Sequence, residues 1–469
     1  WNDTKTTELL DGTETTDLKE TRIDSYSLVS QAYINYVKSI EKHNLSVMLG
    51  YENYYYFHEN VTASRGEYDF TYYPYLDAGP GNLKDNSGDA YEIALRSALG
   101  RLLYNWNSRY LLQANFRYDG SSRFHKDYRW GFFPSVSAGW VVSEENFMKN
   151  IPAVSHLKLR ASWGQLGDQR IGNYPYQSTL SFNNPTLYVG NTVTSVQGAS
   201  AYQYPIKDIT WQTTETTGLG IDLNTFNNRL HFSGDYSWKQ TKDMLLQLQI
   251  PTYLGYSDPY QNAGKMSTKG WDIDLAWNDK IRDFHYGISF NISHYKSEMG
   301  YLKDTKVESG GTITREGSEY YEWYGYLSDG IYQTAEEVAG SPVTSSVVTV
   351  GDVRYKDISG PDGVPDGVIN TTYDRVLLGG SFIPRLNYGG NINMEYRGID
   401  FLLSFQGVGE RKSMLTDEMV QPIRSDLYNV PEIILGKYWS KYNTDEQNAN
   451  ARYPRATRTG ISNNYAVSD

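Results

Sequence analysis

The most sharply spaced chemistry in this chain lies in DISGPDGVPDGVIN, from Asp357 to Asn370. Asp362, Asp366 and Gly367 have the acidic-x3-acidic-glycine spacing of a calcium loop, with Ile369 where such loops carry an apolar plug. Asp357 and Asp374 complete a candidate set of oxygen donors, Asp374 standing one place late for the usual bidentate glutamate. The competing reading is a turn cluster, because Asp, Gly and Pro each favour reverse turns. Structural calcium is therefore a candidate cofactor, and no other is expected. A second group is charged: Arg117, Asp119, Arg160, Asp222, Asp235, Asp272, Asp274 and Glu395 stand opposite apolar neighbours. On strands they would share one wet face, contacting cargo or a plug, or pairing with one another. A third group is aromatic, with Tyr54, Tyr55, Tyr72, Tyr73, Tyr320, Tyr321, Trp323 and Tyr324 expected in loops. Such rings join apolar area to a hydrogen-bonding end, which suits sugars, a lid protein or packing within the loops themselves. Acidic pairs abound, but none forms an acid/base constellation, so an enzyme is not expected.

The elements that must position these groups are strands. Tyr110, Leu112, Ala114, Phe116 and Tyr118 alternate with Leu111, Gln113, Asn115, Arg117 and Asp119, and Val136, Ala138, Trp140 and Val142 repeat the pattern. The same alternation marks Leu45–Tyr51, Leu157–Trp163, Thr217–Leu223, Leu230–Trp238, Trp271–Trp277, Phe284–Ile292, Leu386–Tyr396 and Ile399–Phe405. Arg101 falls in what reads as the apolar register of Tyr91–Asn105, which places it near an interface where charge costs little. Residues Trp1–Glu20 and Glu59–Gly88 read as loops, as do 165–212, 239–268 and 296–384, with a short helix around Val430–Lys441. Short and long connections thus alternate along about twelve strands.

That regularity favours a transmembrane antiparallel β-barrel, whose turns are short at one rim and long at the other. A mean hydropathy of −0.59 is compatible, since half of each barrel strand faces water. No apolar run approaches the ~18 residues that a membrane helix needs. The net charge of −12 argues against nucleic-acid binding, and the absence of Cys removes disulfides and thiolate metal sites. The chain reads as one barrel domain over 1–469, with 296–385 a long extracellular insertion and 408–469 an extracellular loop region. Neither end carries a closing strand, so an interior piece of a 22-stranded barrel, the size of the largest plugged transporters, is expected.

Several motifs carry a resemblance. DGSSRF (Asp119–Phe124), WGFFPSVSAGW (Trp130–Trp140), LRASWGQLGDQRIGNY (Leu159–Tyr174), IPRLNYGGNI (Ile383–Ile392), FQGVGERK (Phe405–Lys412) and YPR (Tyr453–Arg455) resemble the SusC/RagA family of TonB-dependent outer-membrane transporters of Bacteroidetes. The calcium-like stretch departs from the family's DxNGDGxI by inserting Pro361 and Pro365. The resemblance implies TonB-dependent import of oligosaccharides or peptides through a plugged barrel in outer-membrane lipid. It also implies a SusD-like surface lipoprotein as lid, and TonB acting through parts that this chain does not contain. The alternatives are a SusC-like barrel turned structural scaffold of a larger outer-membrane complex, and a soluble carbohydrate-active enzyme.

Overall fold

The computed structural model describes residues 2–11, 16–68, 73, 75–81, 84–183, 186–189, 192–195, 198–247, 250–303, 306–414 and 432–456. Its main sheet has thirteen strands, all neighbours in sequence order. They are β1 (Asn2–Asp11), β2 (Thr16–Ile40), β3 (His43–Arg65), β4 (Lys84–Trp106), β5 (Tyr110–Ser121), β6 (Trp130–Val141) and β7 (Val154–Asp168). The series continues with β8 (Gln212–Thr225), β9 (Leu230–Lys242), β10 (Lys265–Ile281), β11 (Phe284–Met299), β12 (Leu386–Tyr396) and β13 (Ile399–Gly409).

The alternation read from the sequence is the register of this sheet. Tyr110 pairs with Trp140, Leu112 with Ala138 and Ala114 with Val136. Further along, Leu219 lies between Ala161 and Tyr236, and Tyr236 between Leu219 and Trp271. One face is therefore a continuous apolar field, and it is open: Leu112 is 41%, Leu219 59% and Phe132 57% exposed. A water-soluble sheet would cover such a field. Aromatic rows edge it, including Trp106 against Tyr110 (5.4 Å) and Phe226 against Trp277 (6.0 Å) by the short turns, and Tyr118 stacked on Trp130 (4.8 Å) at the other edge. That band between two girdles is the outer surface of a membrane barrel.

Four expectations are corrected. First, Asn2–Asp11 is not loop but β1, paired from Asn2↔Ser25 to Asp11↔Thr16, which adds a thirteenth strand to the twelve expected. Second, the loop expected over Glu59–Gly88 shrinks to 66–83, because β3 and β4 stay paired out to Arg65↔Lys84. β2, β3 and β4 have 25, 23 and 23 residues, where roughly 9–11 cross a bilayer. Their outer halves run past the length a bilayer needs, and the strict alternation of apolar and polar residues is lost there. Tyr54 and Tyr55 consequently lie on a strand, opposite Val29 and Leu28. Third, Arg101 pairs with Asn115 and is in the polar register, its Nε donating to Asn115 Oδ1 at 3.0 Å. Leu99 and Leu103 share that register and disguised it. Fourth, no helix covers 432–441: Glu432–Ile434 is a 3-10 turn, and the helix is Asp445–Ala449. Residues 430–431 of that expectation lie outside the described residues.

The connection lengths alternate with one exception. Residues 122–129, on the long-connection side, are fewer than 142–153, on the short-turn side. There Glu145 accepts hydrogen bonds from the Tyr110 hydroxyl (2.7 Å) and Trp140 Nε1 (3.2 Å), tying two girdle rings to one carboxylate.

The chain divides into two compact units, one of Trp1–Phe290 with Asn391–Leu403, the other of Asn291–Gly390 with Ser404–Asp469. The second holds a four-stranded sheet built from Val307–Ser309, Thr312–Thr314, Glu322–Tyr326 and Arg375–Ser381. The longest excursion is thus a folded body.

Candidate functional site

The polar face of the first unit is a wall of paired charge. Arg160 on β7 sits directly opposite Gly220 on β8, and Gly220 opposite Asp235 on β9. A Cβ at Gly220 would collide with Asp235 and with the Arg160 guanidinium, so the missing side chain is the slot through which Arg160 crosses a whole strand. It makes a bidentate pair with Asp222 (2.8 and 2.9 Å) and another with Asp235 (3.0 and 3.0 Å), and reaches Ser233 at 3.3 Å. Asp272 faces Asp235 and Asp274 faces Ser233 on the next strand, so two of the expected inward carboxylates hold the guanidinium and two more follow on the neighbouring strand. Arg117 builds a second network with Asp119 (3.2 Å), Ser97 (3.0 Å) and Glu52 (3.7 Å). Glu395 is exposed and shares strand parity with Asn391 and Asn393. The sequence marked the charges, but not Gly220, Ser97, Ser233 or Glu52, whose roles depend on cross-strand register.

Where the long connections begin, three motifs converge. Phe124 of DGSSRF, Phe133 of WGFFPSVSAGW and Ile171 of LRASWGQLGDQRIGNY form a buried cluster with Ile209 and Trp211. The Trp211 indole donates to Arg129 O at 2.8 Å, and its ring meets Phe133 edge-on at 5.3 Å. Phe133 lies flat over Gly131 and Gly167, where any Cβ would strike its ring. Gly167→Val is therefore expected to destabilise the protein by roughly 1–3 kcal/mol through overpacking. Thermal unfolding followed by Trp fluorescence checks this, and an unchanged midpoint would show that the ring moves freely.

In the second unit the remaining motifs meet their partners. Arg385 of IPRLNYGGNI forms a bidentate pair with Glu319, which is only 7% exposed, and lies 3.8 Å from Glu410 of FQGVGERK. Lys412 Nζ donates to Leu378 O at 3.0 Å, and Arg455 of YPR pairs with the fully buried Asp352.

The aromatic candidates separate. Tyr72 lies outside the described residues, and Tyr73 packs on Tyr75 at 4.9 Å. Tyr320 and Tyr321 touch at 4.2 Å, with Tyr321 also 5.3 Å from Phe382. Burial, then the bond to Tyr321, pushes the Tyr320 hydroxyl up to about 12. Trp323 Nε1 donates to Lys412 O at 2.9 Å, and Tyr324 is buried beneath the Arg375 guanidinium at 4.3 Å. The last two hold the unit together and offer little to a ligand.

Of the carboxylates singled out for calcium, Asp357 lies against Asp374, and its Oδ1 is buried with no hydrogen-bond partner among the described residues. Asp362 and Asp366 are exposed, whereas Asp374 is fully buried and accepts from the amides of Ile358 (2.8 Å), Ser359 (3.3 Å) and Asn370 (2.8 Å). Asp357 accepts from Gly367 N at 2.6 Å. Among the described residues no three His, Cys, Asp or Glu side chains are arranged to hold a metal ion. Asp374 closes the loop through backbone donors. EDTA is expected to leave proteolytic protection of 357–374 unchanged, and increased cleavage would instead support the cation reading. Acid should open the same loop. Burial works to raise the Asp374 pKa, but the Asn370, Ile358 and Ser359 amides, with the neighbouring Asp357, outweigh it and hold the group below the usual carboxylate range. A carboxyl depressed on folding contributes stability that is present above its unfolded pKa and lost as pH falls through the folded value. Cleavage within 357–374 should therefore rise only below about pH 4.

An open apolar band backed by a wet, charge-lined face defines the wall of an outer-membrane β-barrel. The chain belongs to the family described as TonB dependent receptor-like, beta-barrel, whose model matches residues 1–466. TonB-dependent receptor P39 of Formosa agariphila is 33% identical over 411 residues, covering 78% of this chain and 38% of that protein. TonB-dependent receptor SusC of Bacteroides thetaiotaomicron is 31% identical over 337 residues, covering 69% and 33%. Among solved structures, the RagAB peptide transporter superposes with a TM-score of 0.78 at 22% identity, over 95% of this chain and 47% of that one. The chain spans about two fifths of the length of P39. These relatives are receptors and transporters, not enzymes, and they place the protein in the outer membrane of the SusC/RagA group.

Proposed function

We propose that the protein carrying this barrel segment imports oligosaccharides or peptides across the outer membrane, powered through TonB and capped outside by a SusD-like surface lipoprotein. One observation carries the reading: the sheet sets an apolar field back to back with charges paired across as many as three strands, as in the wall of a water-filled passage. In this reading the long connections face the exterior, as barrel loops do. SusC and the RagAB peptide transporter among its relatives support import, and support a lipoprotein partner of the SusD kind.

The test is a chromosomal deletion, complemented with the full-length gene in cells with and without TonB. Growth on a glycan or peptide that requires both supports import. Normal growth on every source, together with co-purification of several unrelated envelope proteins, would shift the assignment to a scaffold subunit.

A further inference from the structure

Two long connections of the first unit, 169–211 and 243–264, line an open cleft of about 440 Å³ that no motif marks. Its walls are joined by backbone: Gln203 bridges Ser257 in parallel, and Ser257 N donates to Tyr202 O at 2.7 Å. Tyr204 meets Tyr256 edge-on at 5.4 Å. The lining is tied down as well. Thr179 Oγ1 donates to Gln203 Oε1 at 3.3 Å, Gln247 Nε2 to Asp258 O at 2.8 Å, and Ile250 N to Asp258 Oδ1 at 2.9 Å. Three tyrosines line this bridged frame with partly exposed side chains, Tyr202 at 45%, Tyr204 at 46% and Tyr260 at 40% exposure. The volume falls within the range of small-ligand sites, and a frame fixed before binding lowers the cost of ordering it.

From this lining we infer a binding subsite for a neutral oligosaccharide. A pyranose ring has a C–H face that packs on an aromatic ring, and hydroxyls at its edge that both donate and accept. Tyrosines for the face, with Gln203 and Gln247 amides for the edge, match that combination. Charge selects further. Among the described residues of the lining Asp258 is the one that is charged, with no Lys or Arg beside it there. A uronate, a sulfated sugar or a peptide's terminal carboxylate would meet a like charge with no counter-charge, a penalty that discriminates against those ligands. The inference rests on the importer reading for its biological use, and deepens it by naming the class of cargo.

The experiment uses the full-length protein in detergent with any co-purifying partner, titrated calorimetrically with neutral hexasaccharides, oligouronides and hexapeptides. At least one neutral hexasaccharide should bind, with uronides and peptides about tenfold weaker or more. The triple variant Tyr202→Ala, Tyr204→Ala, Tyr260→Ala should lose about tenfold or more in affinity, as the removal of two or more stacking contacts predicts. The corresponding triple Phe variant should stay within about threefold, and its normal yield would separate binding from folding. Equal or better binding of uronides or peptides overturns the inference, as does wild-type affinity in the Ala variant or no neutral sugar bound at all. If TonB-dependent growth persists unchanged in the Ala variant, the subsite falls while the import reading stands. If growth never depends on TonB, the import reading falls while calorimetry still decides the subsite.

Discussion

Arg455→Ala is expected to unlock the second unit. Asp352 has no exposed surface, and its two oxygens accept from Arg455 Nε (2.7 Å) and Nη2 (3.3 Å), with Thr349 N adding a third bond at 2.9 Å. The pair clamps a crowded corner. Arg455 N donates to Gly351 O at 2.7 Å, and the Trp439 ring covers Gly351, which has φ +88° and no room for a Cβ. Removing the guanidinium leaves a buried carboxylate with no counter-charge, which costs roughly 3–5 kcal/mol. Limited proteolysis of the full-length protein should then cut within 300–385 and 432–456 at protease levels the wild type resists. Asp352→Asn combined with Arg455→Ala should recover part of the loss, since a neutral amide is cheaper to bury alone. Identical digestion of wild type and R455A would show that the pair contributes nothing.

Leu219→Arg should block assembly into the outer membrane. Leu219 is central in the apolar run Thr217–Leu223, is 59% exposed and lies between Ala161 and Tyr236 on the same face. Arginine at a lipid-facing position near the midplane costs about 2–4 kcal/mol. The control is Ser237→Arg, on the opposite, polar face and flanked by Gly218 and Gly270. Outer-membrane fractionation with heat-modifiable gel mobility reads both. L219R should be depleted and S237R should insert normally. Equal insertion of the two would contradict the face assignment.

The contrast between those two variants also shows what was legible in the sequence. Lipid imposes a strict rule on every second residue, so Leu219, Tyr236 and Trp271 could be assigned to one face before any register was known. Where lipid stops, the rule stops. Residues 2–11 and the outer halves of β2, β3 and β4 are rich in Thr, Asp, Glu and Asn, and a paired strand of that composition looks like loop. Arg101 was misread because Leu99 and Leu103 flank it on the wet face. The motifs were recognisable as words, but their physics was hidden by distance along the chain: Arg455 meets Asp352 103 residues away, and Arg385 meets Glu319 66 residues away. Gly220 was invisible for another reason. Its function is an absence, and only the strands on either side give that absence a meaning. The three tyrosines of the loop cleft carry no periodic signal, since no repeating environment selects their spacing.

Every excursion on the long-connection side leaves one strand and returns on its immediate neighbour, whether it spans 122–129 or 300–385. Closing a flexible loop costs only about 0.6 kcal/mol per doubling of its length, so a flexible connection could lengthen tenfold for about 2 kcal/mol, and one that folds on itself, as 300–385 does, adds its own stability. The strand ends stay fixed while the segment between them is nearly free to grow. Insertion, deletion or exchange of whole loops between relatives would therefore leave the pairing ladder undisturbed, and new recognition surfaces can be grafted onto this scaffold one connection at a time.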